Sequence, residues 1–302
     1  MKNFITISIG ISAYNEGNNI QNILNDLKKQ ELKKIILEKI IVISDGSTDD
    51  TYLNAKKTFH KKLYLINGKR NLGKAERINQ LMKIVSSEIL IILDADVRIY
   101  DKYFINKMSK PLIRGDADLV SPQIDADYPK NFFEKSLWLS MLLKQKLFSS
   151  YKNGNNVYSC HGPARAIKKS LYKNIRLPRS EGEDMYSYLI CLFNKNKFSF
   201  IDKTRVFYKL PDNWLDHFKQ SVRFRWSKDF YKQIFGEEFV NNEFKIPFPV
   251  YIRGAIKGLP LIIRNPVHFI YYLIIVGKCS IKPFVNFDIG RTWQIGSTKE
   301  GY

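Results

Sequence analysis

Two carboxylates separated by a single residue, Asp94-Ala95-Asp96, close a run of apolar residues, Ile89-Leu90-Ile91-Ile92-Leu93. A short apolar run bounded by polar residues predicts a strand buried on both faces of a sheet. Such a strand delivers its last side chains to the sheet's C-terminal edge, where open α/β folds bind ligands. Two acidic groups there repel each other unless something positive lies between or beside them. Carboxylate oxygens suit Mg²⁺ or Mn²⁺, so one chemistry open to the pair is to hold a divalent cation on a diphosphate. The plainer reading is a strand-end turn with two solvated Asp side chains, and the pair alone is too common to decide.

The elements that must position this pair can be read from the preceding ninety residues. Phe4 to Ile11 alternates and is rich in β-branched residues, which predicts a first strand, and it ends in the polar turn Ala13-Tyr14-Asn15-Glu16. Ile20, Ile23, Leu24 and Leu27 then recur at helical spacing. Lys39 to Ser44 predicts a second buried strand, running into Asp45-Gly46-Ser47-Thr48-Asp49-Asp50-Thr51, where Thr48 or Asp49 can cap the next helix. Leu63 to Ile66 reads as a third strand, followed by the basic loop Asn67 to Lys74 and a helical face of Ile78, Leu81, Met82 and Val85. Regular alternation of strand and helix predicts an α/β fold: a mostly parallel central sheet with helices on both faces.

Each of these polar turns follows a strand, so all of them gather on one edge. Asp45 can accept from a base N–H or a ribose hydroxyl, Arg70 and Lys74 can neutralise phosphate, and Asp94 and Asp96 can hold ribose and metal. A Rossmann dinucleotide site is excluded by the lack of Gly-x-Gly-x-x-Gly after the first strand, and a P-loop by the lack of Gly-x-x-x-x-Gly-Lys-Ser/Thr.

The chain has 302 residues, 44% of them hydrophobic, which is enough for a sizeable core and argues against disorder. Its formal net charge of +20 favours an anionic partner, whether nucleotide, nucleic acid or acidic membrane surface; a Lys-rich proteome would give the same excess. The Lys and Arg residues are scattered, and no nucleic-acid-binding module is evident. The three cysteines are far apart, which speaks against a disulfide framework or zinc site and suits a reducing compartment. The N-terminus enters a strand pattern at once, so no signal peptide is expected, and no apolar run is long enough to predict an ordinary transmembrane helix.

Taken in order, Ala13-Tyr14-Asn15-Glu16, Ser44-Asp45-Gly46-Ser47-Thr48-Asp49-Asp50-Thr51, Arg70-Asn71-Leu72-Gly73-Lys74 with Asn79, and Asp94-Ala95-Asp96 resemble the ordered motifs of family-2 glycosyltransferases with the GT-A fold. More weakly, Ser159-Cys160-His161-Gly162-Pro163-Ala164-Arg165-Ala166 resembles the family's acceptor-side segment, and Glu181-Gly182-Glu183-Asp184-Met185-Tyr186 its Glu-Asp motif. The resemblance implies nucleotide-sugar binding by Ala13, Tyr14, Asn15, Glu16, Asp45, Arg70, Lys74, Asp94, Ala95 and Asp96, with Asp45 on the base. It implies a divalent metal (Mg²⁺ or Mn²⁺) on Asp96 and Asp94, Asp96 being the more direct ligand. Asp184, with Glu183 beside it, is the implied catalytic base of an inverting displacement, and His161, Gly162 and Arg165 the acceptor side. The implied partners are a nucleotide-sugar donor, with UDP as the guess, and a glycan or lipid-linked acceptor, with no nucleic acid.

Processive relatives carry Gln-x-x-Arg-Trp and several membrane helices. Here Gln220-Ser221-Val222-Arg223-Phe224-Arg225-Trp226 keeps Arg-Trp but sets Gln two residues too early, which predicts a non-processive enzyme. Arg225 and Trp226 can still face the acceptor; equally, they can belong to an amphipathic helix with Arg outward.

From about Leu210 the alternation stops, which divides the chain into a catalytic domain, 1–210, and a helical C-terminal region, 211–302. Trp214 to Phe235 reads as helix and Asn241 to Pro249 as loop. Val250 to Val276 is apolar but interrupted by Arg253, Lys257, Pro260, Arg264, Pro266 and His268, a mixture that suits helices lying in a membrane interface or packed on the catalytic domain. The tail Arg291 to Lys299 resembles the membrane-proximal ends of some relatives. The expected location is the cytoplasm, peripheral to the inner face of the membrane. Three other readings stand beside this one: a polyprenyl-phosphate glycosyltransferase, a basic nucleic-acid-binding protein, and a sugar-phosphate nucleotidylyltransferase, whose Gly-rich, Arg-containing loop after the first strand is missing here.

Overall fold

The computed structural model describes residues 4–58, 61–179 and 182–280; the side chains of 222–226 and 280 lie outside that description. The first third alternates as expected: β1 (Ile5–Ala13), α1 (Ile20–Lys28), β2 (Ile35–Ser44), α2 (Thr51–Lys57), β3 (Leu63–Asn67), α3 (Lys74–Ile84) and β4 (Ile89–Asp94). Then come β5 (Val97–Arg98), α4 (Phe104–Arg114), β6 (Leu119–Ala126), α5 (Phe132–Ser149), β7 (Ala164–Lys168), α6 (Lys169–Tyr172), α7 (Glu183–Phe193) and β8 (Phe198–Tyr208). The remaining described elements are helices: α8 (Trp214–Phe235), α9 (Glu237–Phe244), α10 (Phe248–Arg264) and α11 (Pro266–Ser280).

The strands form one sheet in the order β3-β2-β1-β4-β7-β6-β8-β5. β3, β2, β1 and β4 run parallel, as do β6 and β8, whereas β7 is antiparallel to both its neighbours and β5 is antiparallel to β8. The sheet is therefore mixed, with its parallel half built by the alternating strands and helices of the first third. β4 lies near its middle and feeds both cores. Ile89, Ile91 and Leu93 pack with Ile23 and Leu24 of α1 and Phe104 and Met108 of α4. Leu90 and Ile92 pack with Ile78 and Leu81 of α3 and Met185 and Leu189 of α7. That two-sided burial explains why the strand reads as an unbroken apolar run.

Two sequence expectations are corrected in the C-terminal region. The segment expected as a loop from Asn241 to Pro249 is mostly helical: α9 continues to Phe244 because Val240 and Phe244, four residues apart, are both buried, and α10 begins at Phe248 directly after Pro247. The stretch Glu237–Arg264 is also long and apolar enough to cross a membrane by length and composition, contrary to expectation, although the turn between α9 and α10 divides it. α10 packs on α5 through two small residues one turn apart. A Cβ on Gly254 would come within 3.0 Å of the Leu147 backbone, and one on Gly258 within 2.7 Å of the Leu143 side chain. The outward side of α10 and α11 keeps Ile256, Leu259, Ile263, Val267 and Ile270 exposed. Cys160, Cys191 and Cys279 are free and buried. The tail from Arg291 to Lys299 lies outside the described residues.

Candidate active site

Strand register levels the chemistry-bearing turns. Ala13 lies opposite Ser44, Ser44 opposite Asn67, and Ser12 opposite Asp94, so four parallel strands end in one row. β7 runs the other way and begins at that row, with Ala164 opposite Leu93 and the Asp94 N–H donating to the Pro163 carbonyl at 3.0 Å. Reversal of this one strand brings His161-Gly162-Pro163 to an edge otherwise made of strand ends.

The turn after β1 is held by the turn after β2. Asn15 adopts a left-handed conformation (φ 53°), which Asn tolerates better than most residues. Its N–H donates to Ser47 Oγ, its Oδ1 accepts from the Thr48 N–H, and the Glu16 N–H donates to Thr51 Oγ1 at 2.7 Å. Glu16 is buried and accepts from Asn19. Asn15 and Glu16 thus join the two loops, and Tyr14 before them is half-buried. The N-cap of α2 is Asp50 rather than Thr48 or Asp49, and Asp49, just before it, accepts from the Thr51 N–H at 3.0 Å.

Asp45 is fully buried and organises the basic loop. It accepts from the Leu72 and Gly73 N–H groups at 2.8 Å each and from Arg77 Nε at 2.5 Å, while Arg77 also donates to the Arg70 carbonyl. Arg77 was not singled out in the sequence because it lies inside an ordinary amphipathic helix; a buried Arg is paired, and its partner is thirty-two residues away. Gly46 (φ +69°) is required here, since a Cβ would meet the Arg70 backbone carbon at 2.5 Å. The Arg70 side chain is exposed at the rim.

Lys74 opens α3, where the helix dipole disfavours a cation. Three carboxylate oxygens offset this. Lys74 Nζ lies 2.7 and 2.8 Å from the two oxygens of Asp94 and 2.7 Å from Glu183 Oε1. Burial opposes the ammonium, but Asp94 and Glu183 outweigh it and raise its pKa. Lys74 therefore does not stand free to meet phosphate; it bridges the end of β4 to the first turn of α7.

The two residues of the Glu-Asp pair separate electrically. Burial would push Glu183 up, but Lys74 and Arg165 outweigh it and hold it down at about 2. Asp184 is raised, by burial and then by the charge of Glu183. Asp184 Oδ1 accepts from the Met185 N–H, and Oδ2 lies 3.4 Å from where a Gly162 Cβ would stand, so Gly162 leaves space beside the carboxylate. Both acids sit in the first turn of α7, whose dipole favours them. Gly182 (φ +80°) precedes them, and its carbonyl accepts from the Tyr231 hydroxyl of α8.

Arg165, expected on the acceptor side, is fully buried behind Glu183 at 3.7 Å, so it cannot touch an acceptor directly. Its guanidinium nitrogens have no hydrogen-bond partner, and it acts through charge on Glu183. His161 is half-buried, its imidazole pKa lowered to about 4 by burial, and its backbone N–H donates to Ser121 Oγ. The side chains of Arg225 and Trp226 lie outside the described residues, as does Glu181.

Asp94 and Asp96 fit a divalent cation. Burial raises Asp94; burial and then the charge of Asp94 push Asp96 up to about 6. Asp94 Oδ1 is buried without a hydrogen bond, its contact with Lys74 being ionic. Ala95 is buried between them. No group of three His, Cys, Asp or Glu is arranged to hold a metal ion by itself among the described residues. Two carboxylates with hard oxygens suit Mg²⁺ or Mn²⁺ when substrate phosphates and water supply the other ligands.

The model of the family described as Glycosyl transferase family 2 matches residues 8–176. The chain belongs to this family. Among curated relatives, CsbB of Bacillus subtilis (strain 168), provisionally named a glycosyltransferase, is 33% identical over 141 residues, 46% of this chain and 41% of that protein. The dolichyl-phosphate beta-glucosyltransferase ALG5A of Trichomonas vaginalis is 31% identical over 120 residues, 36% of this chain and 37% of that protein. The chain thus spans less than half the length of these relatives. Among solved structures, the mannosyltransferase PcManGT from Pyrobaculum calidifontis, in complex with GDP-Man and Mn²⁺, shares the fold with a TM-score of 0.61 at 17% identity, over 90% of this chain and 74% of that one. The chain has the GT-A fold.

Glu183 yields a pH signature of stability. Its folded pKa of about 2 lies below its ordinary 4.5, so its contribution is complete above pH 4.5 and is lost as pH falls toward 2. Glu183→Gln should cost on the order of 3 kcal/mol at neutral pH by leaving Arg165 without its counter-charge. The gap between wild type and variant, measured by urea unfolding, should narrow steadily below pH 4.5. A gap that is constant with pH would contradict the ion pair.

Proposed function

We propose that this family-2 transferase is an inverting, divalent-metal-dependent and non-processive enzyme. It moves a sugar from a nucleoside diphosphate sugar, UDP-linked in our reading, to a hydroxyl of a glycan or lipid-linked glycan. The observation that carries this is the Lys74 bridge from Asp94 to Glu183, with Asp184 beside Glu183 facing the space left by Gly162. Glu183, neutralised by Lys74 and Arg165, is too weak a base to accept a proton and serves to position. Asp184, with its raised pKa and the space left by Gly162, is suited to be the base.

In this reaction Asp184 takes the proton of the acceptor hydroxyl. The acceptor oxygen bonds to the anomeric carbon from the face opposite the leaving group. The bond from that carbon to the diphosphate oxygen breaks, and its electron pair departs with the nucleoside diphosphate. A metal on Asp96 and Asp94 would supply electrostatic stabilisation of the diphosphate. The loop held by Asp45 and Arg77 shapes the nucleotide wall, with exposed Arg70 at its rim.

We divide the chain into a catalytic part, 1–210, and a helical part, 211–302. The exposed apolar faces of α10 and α11, together with Arg253, Lys257 and Arg264, suit an anionic membrane surface, and we place the enzyme at the cytoplasmic face. A second reading, transfer to a polyprenyl phosphate, is favoured by the name of the relative from Trichomonas vaginalis. It differs chemically, because an ionised phosphate needs no base.

Asp184→Asn distinguishes the two. With a hydroxyl acceptor its turnover should fall by about 10²–10⁴-fold while nucleotide affinity stays unchanged. Unchanged turnover would favour the phosphate acceptor. For the membrane surface, the intact chain should sediment with vesicles containing phosphatidylglycerol and not with neutral ones at low salt. Equal behaviour toward both vesicles, or binding to neither, would remove that part of the proposal.

A further inference from the structure

Beside the carboxylate cluster lies a cavity of about 380 Å³, walled by α5, β6, β8 and the start of α8. It meets the catalytic cluster at two points. His161 lines it and is followed by Gly162, the residue against Asp184. Tyr208 lines it and pairs across the sheet with Val97, next to Asp96. The catalytic edge is rich in acid, yet none of the described residues lining the cavity is a carboxylate. Its charged group is Lys144 on α5, whose side chain is open to the cavity. No ion pair to Lys144 is found among the described residues.

Lys144 is exposed at the cavity wall, where the surrounding protein partly desolvates its ammonium and lowers its pKa. His217 of α8 is its electrostatic neighbour and is held neutral, at about 4, by burial and then by Lys144. Because no acid lines the cavity, the Lys144 ammonium can pair there with an anion that enters it. The walls between Lys144 and His161 carry Gln123, Gln145 and Ser140 for hydroxyls, and the rings of Tyr158 and Phe200 for the apolar face of a sugar. α5 is also the helix on which α10 and α11 pack with their apolar faces outward, so the cavity adjoins the face proposed to meet lipid.

We propose that the cavity is the acceptor site for a lipid-linked sugar phosphate, with Lys144 binding the phosphate and the sugar hydroxyl directed past His161 toward Asp184. This rests on the reading of the cluster as a glycosyl-transfer site and narrows its acceptor to an anionic glycolipid. The hydroxyl still loses its proton to Asp184, and the phosphate takes no part in bond making.

The test uses three probes on the intact chain by calorimetric titration: hexyl glucosyl phosphate, neutral hexyl glucoside and glucose 1-phosphate. Hexyl glucosyl phosphate should bind at least about tenfold tighter than the neutral glucoside, the scale of one charge-assisted contact. Lys144→Ala should abolish that preference, and Lys144→Arg should retain most of it. In both variants the affinity for UDP with Mn²⁺ should match wild type, which shows that the fold and donor site are intact. Equal binding of charged and neutral probes, a preference that survives in Lys144→Ala, or no binding of the charged probe would overturn the proposal. Glucose 1-phosphate binding as tightly as the hexyl ester would overturn the lipid-linked part. Loss of UDP binding in wild type would be a failure of the donor-site reading instead.

Discussion

Lys74 joins the two halves of the site. Its ammonium lies within hydrogen-bond distance of Asp94, at the end of β4, and of Glu183, in the first turn of α7. These carboxylates are eighty-nine positions apart in the chain and belong to different elements, β4 and α7. Without a cation between them, their burial would be costly, and each acid would be driven toward its neutral form. With it, Glu183 stays ionised, and its charge in turn raises Asp184. The Asp94 side and the Glu183–Asp184 side of the cluster are thus coupled electrostatically through a single side chain. Asp94, if it holds a divalent cation, would share its oxygens between that ion and Lys74.

That bridge depends on register. β1, β2, β3 and β4 end level because their pairing is parallel and nearly unshifted at the C-terminal edge. β7, inserted antiparallel beside β4, starts where the others stop, and so carries Gly162 to Asp184 and sets Arg165 under Glu183. Arg165 is the second cation of the cluster, and its full burial allows it to act through space alone. Behind the edge, the pairing of Asp45 with Arg77 fixes the basic loop from which Lys74 emerges.

Much of this was legible in the sequence where the signal is local. The apolar run before Asp94, the helical spacing of Ile78, Leu81 and Met82, and the helix from Trp214 to Phe235 reflect short-range periodicity, and the structure has them. The turns could be placed on one edge because each followed a strand. What remained hidden depends on pairing between distant residues. Arg77 reads as an ordinary helical cation until Asp45 is seen beside it, and Arg165 reads as an acceptor contact until its strand is seen to run antiparallel in the sheet's interior. Two prolines made 241–249 look like a loop, whereas burial of Val240 and Phe244 extends the helix to the turn before Pro247. The cavity at Lys144 has no sequence signature, because its lining comes from four elements and two connecting segments.

The most direct test of the crevice as a metal-dependent nucleotide site is calorimetric titration of UDP and GDP into the intact chain, with Mn²⁺ and then with EDTA, alongside Asp96→Ala. One nucleotide should bind in the presence of metal, and that binding should vanish with EDTA and in the variant. Absence of binding by either nucleotide with metal present, or binding that neither EDTA nor Asp96→Ala disturbs, would contradict the assignment of the Asp94–Asp96 edge as the donor site.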